Sequence, residues 1–157
     1  LTHQPRSNMN NAVGYAPLSH FPTRTALGTD GIGSDLFSEL QDGYFRSQEA
    51  RVGWGPDRWA AALAAGARLA SDTLGVRLGR IEAGAAADLV VLDPCPGPPL
   101  RTENLAAALI FRLGSQQVRD VMVGGQWRLV DRMPIGLDPV ALDQRAQIAA
   151  ERVWGRM

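Results

Sequence analysis

The sequence predicts an α/β segment followed by a small β module. Three observations lead there. A short apolar strand runs into a glycine-ringed turn at residues 28–31. Two helical stripes follow it. From Gly75 the chain turns β-like and carries a hairpin signal at Gly124-Gly125.

Residues 1–18 are rich in Asn, Pro, Ser and Gly and read as a loop after a strand that begins outside the sequence. Residues 24–28 (Arg-Thr-Ala-Leu-Gly) are a strand candidate, ended by Gly28-Thr29-Asp30-Gly31. Ser34 is the candidate N-cap of a helix over about residues 35–51, with Leu36, Phe37, Leu40 and Tyr44 as its apolar stripe. Gly53-Trp54-Gly55-Pro56 breaks that pattern. Asp57 is the candidate cap of a second helix reaching about Ser71. Trp59, Leu63 and Ala67 share one of its faces, and Ala62 and Gly66 leave room for close packing.

Residues 88–93 (Asp-Leu-Val-Val-Leu-Asp) read as a buried strand stopped by Pro94, and residues 94–99 as a Pro/Gly loop. Residues 118–123 and 126–130 flank Gly124-Gly125 as the arms of a hairpin. Asp138 caps a last helix to about Arg152, with Leu142, Ile148 and Val153 on one side. No internal repeat is visible.

Composition bounds the function. The chain has 157 residues, 45% apolar and 20% charged, which suits a folded domain with a core. Its net charge of +0 gives no field that would draw nucleic acid or an anionic membrane, so neither is expected as a partner. No apolar run approaches the roughly 18 residues of a spanning helix. The single Cys95 excludes an internal disulfide and makes a reducing cytoplasm the default location. The first residue is a leucine, no apolar leader follows it, and the opening residues read as mid-domain sequence. The expectation is a piece of a longer protein.

The sharpest chemical feature is Leu27-Gly28-Thr29-Asp30-Gly31-Ile32-Gly33-Ser34-Asp35. In a parallel α/β architecture, active sites assemble at the C-terminal ends of strands. A carboxylate there can bind a metal or carry a proton, and glycines let the backbone approach a ligand. The plain alternative is a solvated turn aspartate. A phosphate cradle is disfavoured, since the spacing is Gly-x-x-Gly-x-Gly and no lysine follows. The two histidines, His3 and His20, form no metal-ligand pair. Ser7 and Ser34 have no neighbouring His-Asp arrangement. Cys95, between prolines and without a basic neighbour, reads as inert.

Four stretches in order carry a resemblance. His3-Gln4-Pro5-Arg6-Ser7-Asn8-Met9 and Ala26-Leu27-Gly28-Thr29-Asp30-Gly31 resemble late-barrel sequence of cytosine/chlorohydrolase-type amidohydrolases. Residues 79–90 (Gly-Arg-Ile-Glu-Ala-Gly-Ala-Ala-Ala-Asp-Leu-Val) resemble their return from barrel to flanking β-sandwich, and Val121-Met122-Val123-Gly124-Gly125 their late hairpin. Within that superfamily the chain is most similar to SsnA-type aminohydrolases.

The resemblance implies the C-terminal part of a TIM-type metal-dependent hydrolase barrel plus part of a flanking β-sandwich. Residues 1–74 would be the last barrel strands and helices, 75–137 the sandwich segment, and 138–157 a C-terminal helix. It implies hydrolysis of a non-peptide C–N bond (or a carbon–halide bond) of a small nitrogen heterocycle, with a divalent metal, zinc or iron, and room for a homo-oligomer. Asp30 would be both metal ligand and the group that accepts a proton from the attacking water. His3 matches a pocket histidine that is not a ligand. Ser7, Asn8, Gly31 and Ser34 would line the pocket mouth with it. The family's metal-binding histidines are absent and are expected upstream of Leu1, so the isolated chain is expected to be inactive. A non-catalytic module that kept the family fold is the alternative.

Overall fold

The computed structural model describes residues 1–51 and 53–157. Two short strands, β1 (Thr2–His3) and β2 (Ala26–Leu27), pair in parallel with Thr2 opposite Ala26 and His3 opposite Leu27. Between them lies a helix, α1 (Pro5–Asn10), in a stretch expected to be loop. Its polar sequence hides it. The proline at its start is preorganised for a first turn, and the Arg6 amide in that turn donates to the Glu39 carboxylate at 2.9 Å, 33 residues away.

Helix α2 (Leu36–Glu49) begins one residue later than the Ser34 reading implied. Asp35 is the cap, and its carboxylate accepts from the amides of Phe37 (2.9 Å) and Ser38 (3.2 Å). Both residues are good caps by type, but a carboxylate also complements the positive helix end. The same group accepts from the Ser38 and Ser115 hydroxyls, each at 2.9 Å. Partial burial pushes its pKa up, but the hydrogen bonds from Ser115, Ser38 and Phe37 outweigh this and hold it below 3.8. The stability this gives is present above pH 3.8 and lost as pH falls through the lower folded value. Asp35→Asn is therefore expected to flatten the acid limb of a stability–pH curve, as read by urea titration from pH 6 down to about 2.

Helix α3 (Pro56–Leu74) is capped by Gly55 rather than Asp57, which sits within the first turn, and it ends at Gly75 in the left-handed conformation (φ 67°). Its face of Trp59, Ala62 and Ala65 lies over β2 and α2. Gly66 has open space around it, and the close approach occurs at Gly43 of α2. A Cβ there would lie 2.6 Å from the Trp59 ring and 2.8 Å from Pro5. An alanine in a helix ordinarily gains about 1 kcal/mol over glycine. Gly43→Ala is expected to cost about 1–3 kcal/mol instead, because the fully buried indole cannot retreat. Chemical denaturation checks the sign.

The core joins Leu18, Leu27, Leu40, Trp54, Trp59 and Ile110. The Trp54 indole donates to the Leu18 carbonyl at 3.1 Å and packs edge-on to Trp59. Ile110 comes from α4 (Thr102–Phe111), a helix missing from the expected element order. It packs on both α2 and α3, and Gln41 of α2 donates to the Leu113 carbonyl just beyond it. Its sequence is apolar nearly throughout, so no 3.6-residue stripe stands out.

The remaining strands form an antiparallel meander: β3 (Leu89–Leu92), β4 (Val118–Val123), β5 (Gln126–Val130) and β6 (Met133–Pro134). Gly124 and Gly125 make the expected two-residue turn, both at positive φ (56° and 78°). The strand expected to be buried, β3, is only half-buried, with Val90 exposed. Asp138 caps α5 (Pro139–Trp154) through the amides of Val140 and Ala141, as expected. None of its residues is buried. Among the described residues no helix is long and apolar enough to cross a membrane.

Candidate active-site edge

The parallel pairing sets the C-terminal ends of β1 and β2 side by side. Past the first comes α1, which carries Ser7; past the second comes Asp30. The Ser7 hydroxyl, itself buried, donates to Asp30 Oδ2 at 2.7 Å, and Asn11 Nδ2 donates to Ser7 Oγ at 3.2 Å. Asp30 Oδ1 accepts from the Gly31 amide at 2.8 Å. Each carboxylate oxygen keeps a further acceptor site, and Asp30 is exposed. Its backbone is left-handed (φ 52°), a region that aspartate tolerates better than most residues. The carboxylate is thus held by one side-chain and one backbone donor and presented outward.

The other expected site residues divide. Gly31 and Ser34 lie in the same exposed loop as Asp30, and a Cβ at Gly31 would meet nothing within 4 Å. His3 and Asn8 border a separate small crevice with Tyr15 and Arg46. His3 is buried at the end of β1, edge-on to Phe21 and 6.2 Å from the Trp59 ring, and burial pushes its pKa down. Its ring packs against these aromatic side chains. Asn11, which donates to Ser7 Oγ, and Arg6 and Glu39, which hold the turn just before it, were not singled out as site residues from the sequence. Arg6 and Asn11 lie in or near the Arg6-Ser7-Asn8 stretch, which could have pointed to them, but Glu39 is 33 residues from Arg6 and carried no such signal.

A cavity of about 750 Å³ lies elsewhere. Leu1 and Arg24, which precede the two strands, line it with Arg68, Arg77 and Arg80, and Asp30 does not. It is at the opposite strand ends from the Asp30 carboxylate.

A divalent ion with an open catalytic position takes about three protein ligands. Among the described residues no group of three His, Cys, Asp or Glu could hold one. The Asp30 carboxylate is of a ligand type such an ion accepts, and the described residues bring no such group of partners to it. The 157-residue chain purified by itself is expected to retain no stoichiometric zinc after gel filtration, as read by elemental analysis.

Comparison with known proteins agrees with the motifs. The model of the amidohydrolase family matches residues 1–128. The chain is 33% identical to a 5-methylthioadenosine/S-adenosylhomocysteine deaminase of Natronomonas pharaonis, over 99% of this chain and 38% of the relative. It is 28% identical to a 5'-deoxyadenosine deaminase of Methanosarcina mazei, over 100% of this chain and 38% of that protein. A solved adenosine deaminase from Xanthomonas campestris with bound zinc superposes with a TM-score of 0.79 at 30% identity, over 98% of this chain and 37% of that one. The chain therefore spans well under half the length of these relatives, and it belongs to the amidohydrolase family.

Proposed function

We propose that the protein containing this chain is a metal-dependent aminohydrolase that removes an exocyclic amino group from an adenosine-like nitrogen heterocycle, and that Asp30 is its proton-transfer carboxylate and one of its metal ligands. The observation that carries the reading is the Asp30 carboxylate, exposed at the end of a parallel strand and gripped by Ser7 and Gly31. The deaminase names of the relatives support the substrate class. A bound divalent ion, zinc or iron, supplies Lewis acidity for activating water, and ligands from outside this chain complete its set.

The overall reaction converts a ring C–NH2 and water into a ring C=O and ammonia. Asp30 is suited to accept the proton water gives up as it attacks the ring carbon, and to pass a proton to the departing amine. Its fixed orientation removes a rotational search from each transfer. Gly31 and Ser34 leave an open rim where a substrate can approach. His3 stiffens the end of β1, and Asn8 stands beside it. In the full fold, residues 1–74 supply the last two strands of a barrel, residues 75–137 a sandwich segment whose α4 returns to the barrel helices, and residues 138–157 the final helix.

The test is ammonia release by the full-length, metal-loaded protein from adenosine, 5'-deoxyadenosine, 5-methylthioadenosine and S-adenosylhomocysteine. Turnover of at least one supports the reading. No ammonia from any of them, with metal bound, rejects the substrate class.

A further inference from the structure

Glu39 has no part in the chemistry above, yet it is a fully buried carboxylate on α2. Its Oε1 accepts the Arg6 amide at 2.9 Å in the first turn of α1. Its Oε2 has no hydrogen-bond partner and lies 3.9 Å from the Arg6 guanidinium. Leaving a buried carboxylate oxygen unpaired is costly, and burial pushes the Glu39 pKa up despite Arg6. A residue chosen only to fill space at this position could be apolar.

The Arg6 side chain continues the connection. Its Nη1 donates to the carbonyls of Gly33 (3.3 Å) and Asp35 (3.5 Å), and its Nε pairs with Asp42 at 3.5 Å. Arg6 thus ties α1 to the loop that follows Asp30, while Glu39 ties the same residue to α2. The next residue is Ser7, whose hydroxyl grips Asp30 Oδ2. A carboxylate at the first turn also suits the positive end of α1.

We propose that Glu39 is a positioning residue: by seating Arg6 and the first turn of α1, it sets the Ser7 hydroxyl that orients the Asp30 carboxylate. This rests on the reading of Asp30 as a ligand and proton carrier. Groups that orient a metal ligand typically contribute about 10–100-fold to metal affinity or activity.

The test is a double-mutant cycle in the full-length holoenzyme with Ser7→Ala, Glu39→Ala and the pair, read in kcat and in the chelator concentration that strips half the metal. Each single variant is expected to lose about 10-fold in both readouts. The pair is expected to stay within about twofold of Ser7→Ala, because Glu39 acts through that hydroxyl. Glu39→Gln, which keeps an acceptor for the Arg6 amide and the side-chain shape, is expected to fall between wild type and Glu39→Ala. Losses that multiply to about 100-fold, or a Glu39→Ala protein altered only in melting temperature, overturn the proposal. Asp30→Asn is run alongside. If it is inactive while the cycle is multiplicative, the function stands and the positioning role fails. If it is fully active, both fail.

Discussion

Asp30→Asn in the full-length protein is expected to lower kcat by about 10²- to 10⁴-fold, the range over which positioned acid–base groups act. The amide has nearly the shape of the carboxylate. Its oxygen can still accept from Ser7 or from the Gly31 amide, so the loop should keep its fold. What it loses is negative charge and a basic oxygen. Asparagine cannot take a proton from water at neutral pH, and it is a weaker ligand for a hard divalent ion. The loss should fall on kcat more than on KM if, as proposed, Asp30 works on the reacting atoms and not on substrate recognition. Steady-state ammonia release at saturating metal separates the two. A rise in KM with kcat unchanged would recast Asp30 as a binding group only.

The largest effect on stability is expected from Trp59→Ala. The indole is fully buried between β2, α2 and the Trp54 ring, pressed against Gly43 and within reach of His3. Truncating a buried tryptophan typically costs about 3–5 kcal/mol, as lost apolar transfer plus a residual cavity. A domain has only about 5–15 kcal/mol in total. The Trp59 Nε1 has no hydrogen-bond partner, so the loss is almost entirely one of packing. Trp59→Phe should recover part of it. Urea unfolding of the full-length variants measures the difference. Because the same ring backs the end of β1, residual activity in Trp59→Ala should fall along with stability.

Much of the local architecture was legible because its causes are local. Gly124-Gly125 between two β-rich runs needed no tertiary information, and neither did Asp138 ahead of Pro139. Helices α2 and α3 were visible from their apolar spacing, though their caps were not. Ser34 and Asp35 are both competent by type, and the Asp35 carboxylate also accepts from Ser115, 80 residues away in sequence, a contact that no local pattern shows. Helices α1 and α4 escaped notice for opposite reasons: one is polar and held from outside by Glu39, the other too uniformly apolar to show a face. Asp30 could be singled out because a strand end, glycines and a family motif converge on it. The grip on it could not, since Ser7 lies 23 residues away and a hydroxyl carries no spacing signal. Among the described residues no group of three His, Cys, Asp or Glu could complete a metal set around Asp30.

The most direct measurement is a crystal structure of the full-length protein grown with zinc, with anomalous scattering recorded at the zinc edge. A zinc peak about 2.0–2.2 Å from an Asp30 carboxylate oxygen, with Ser7 still donating to the other oxygen, is the expected result. Zinc bound at a site that excludes Asp30, with that carboxylate turned to solvent, would contradict it.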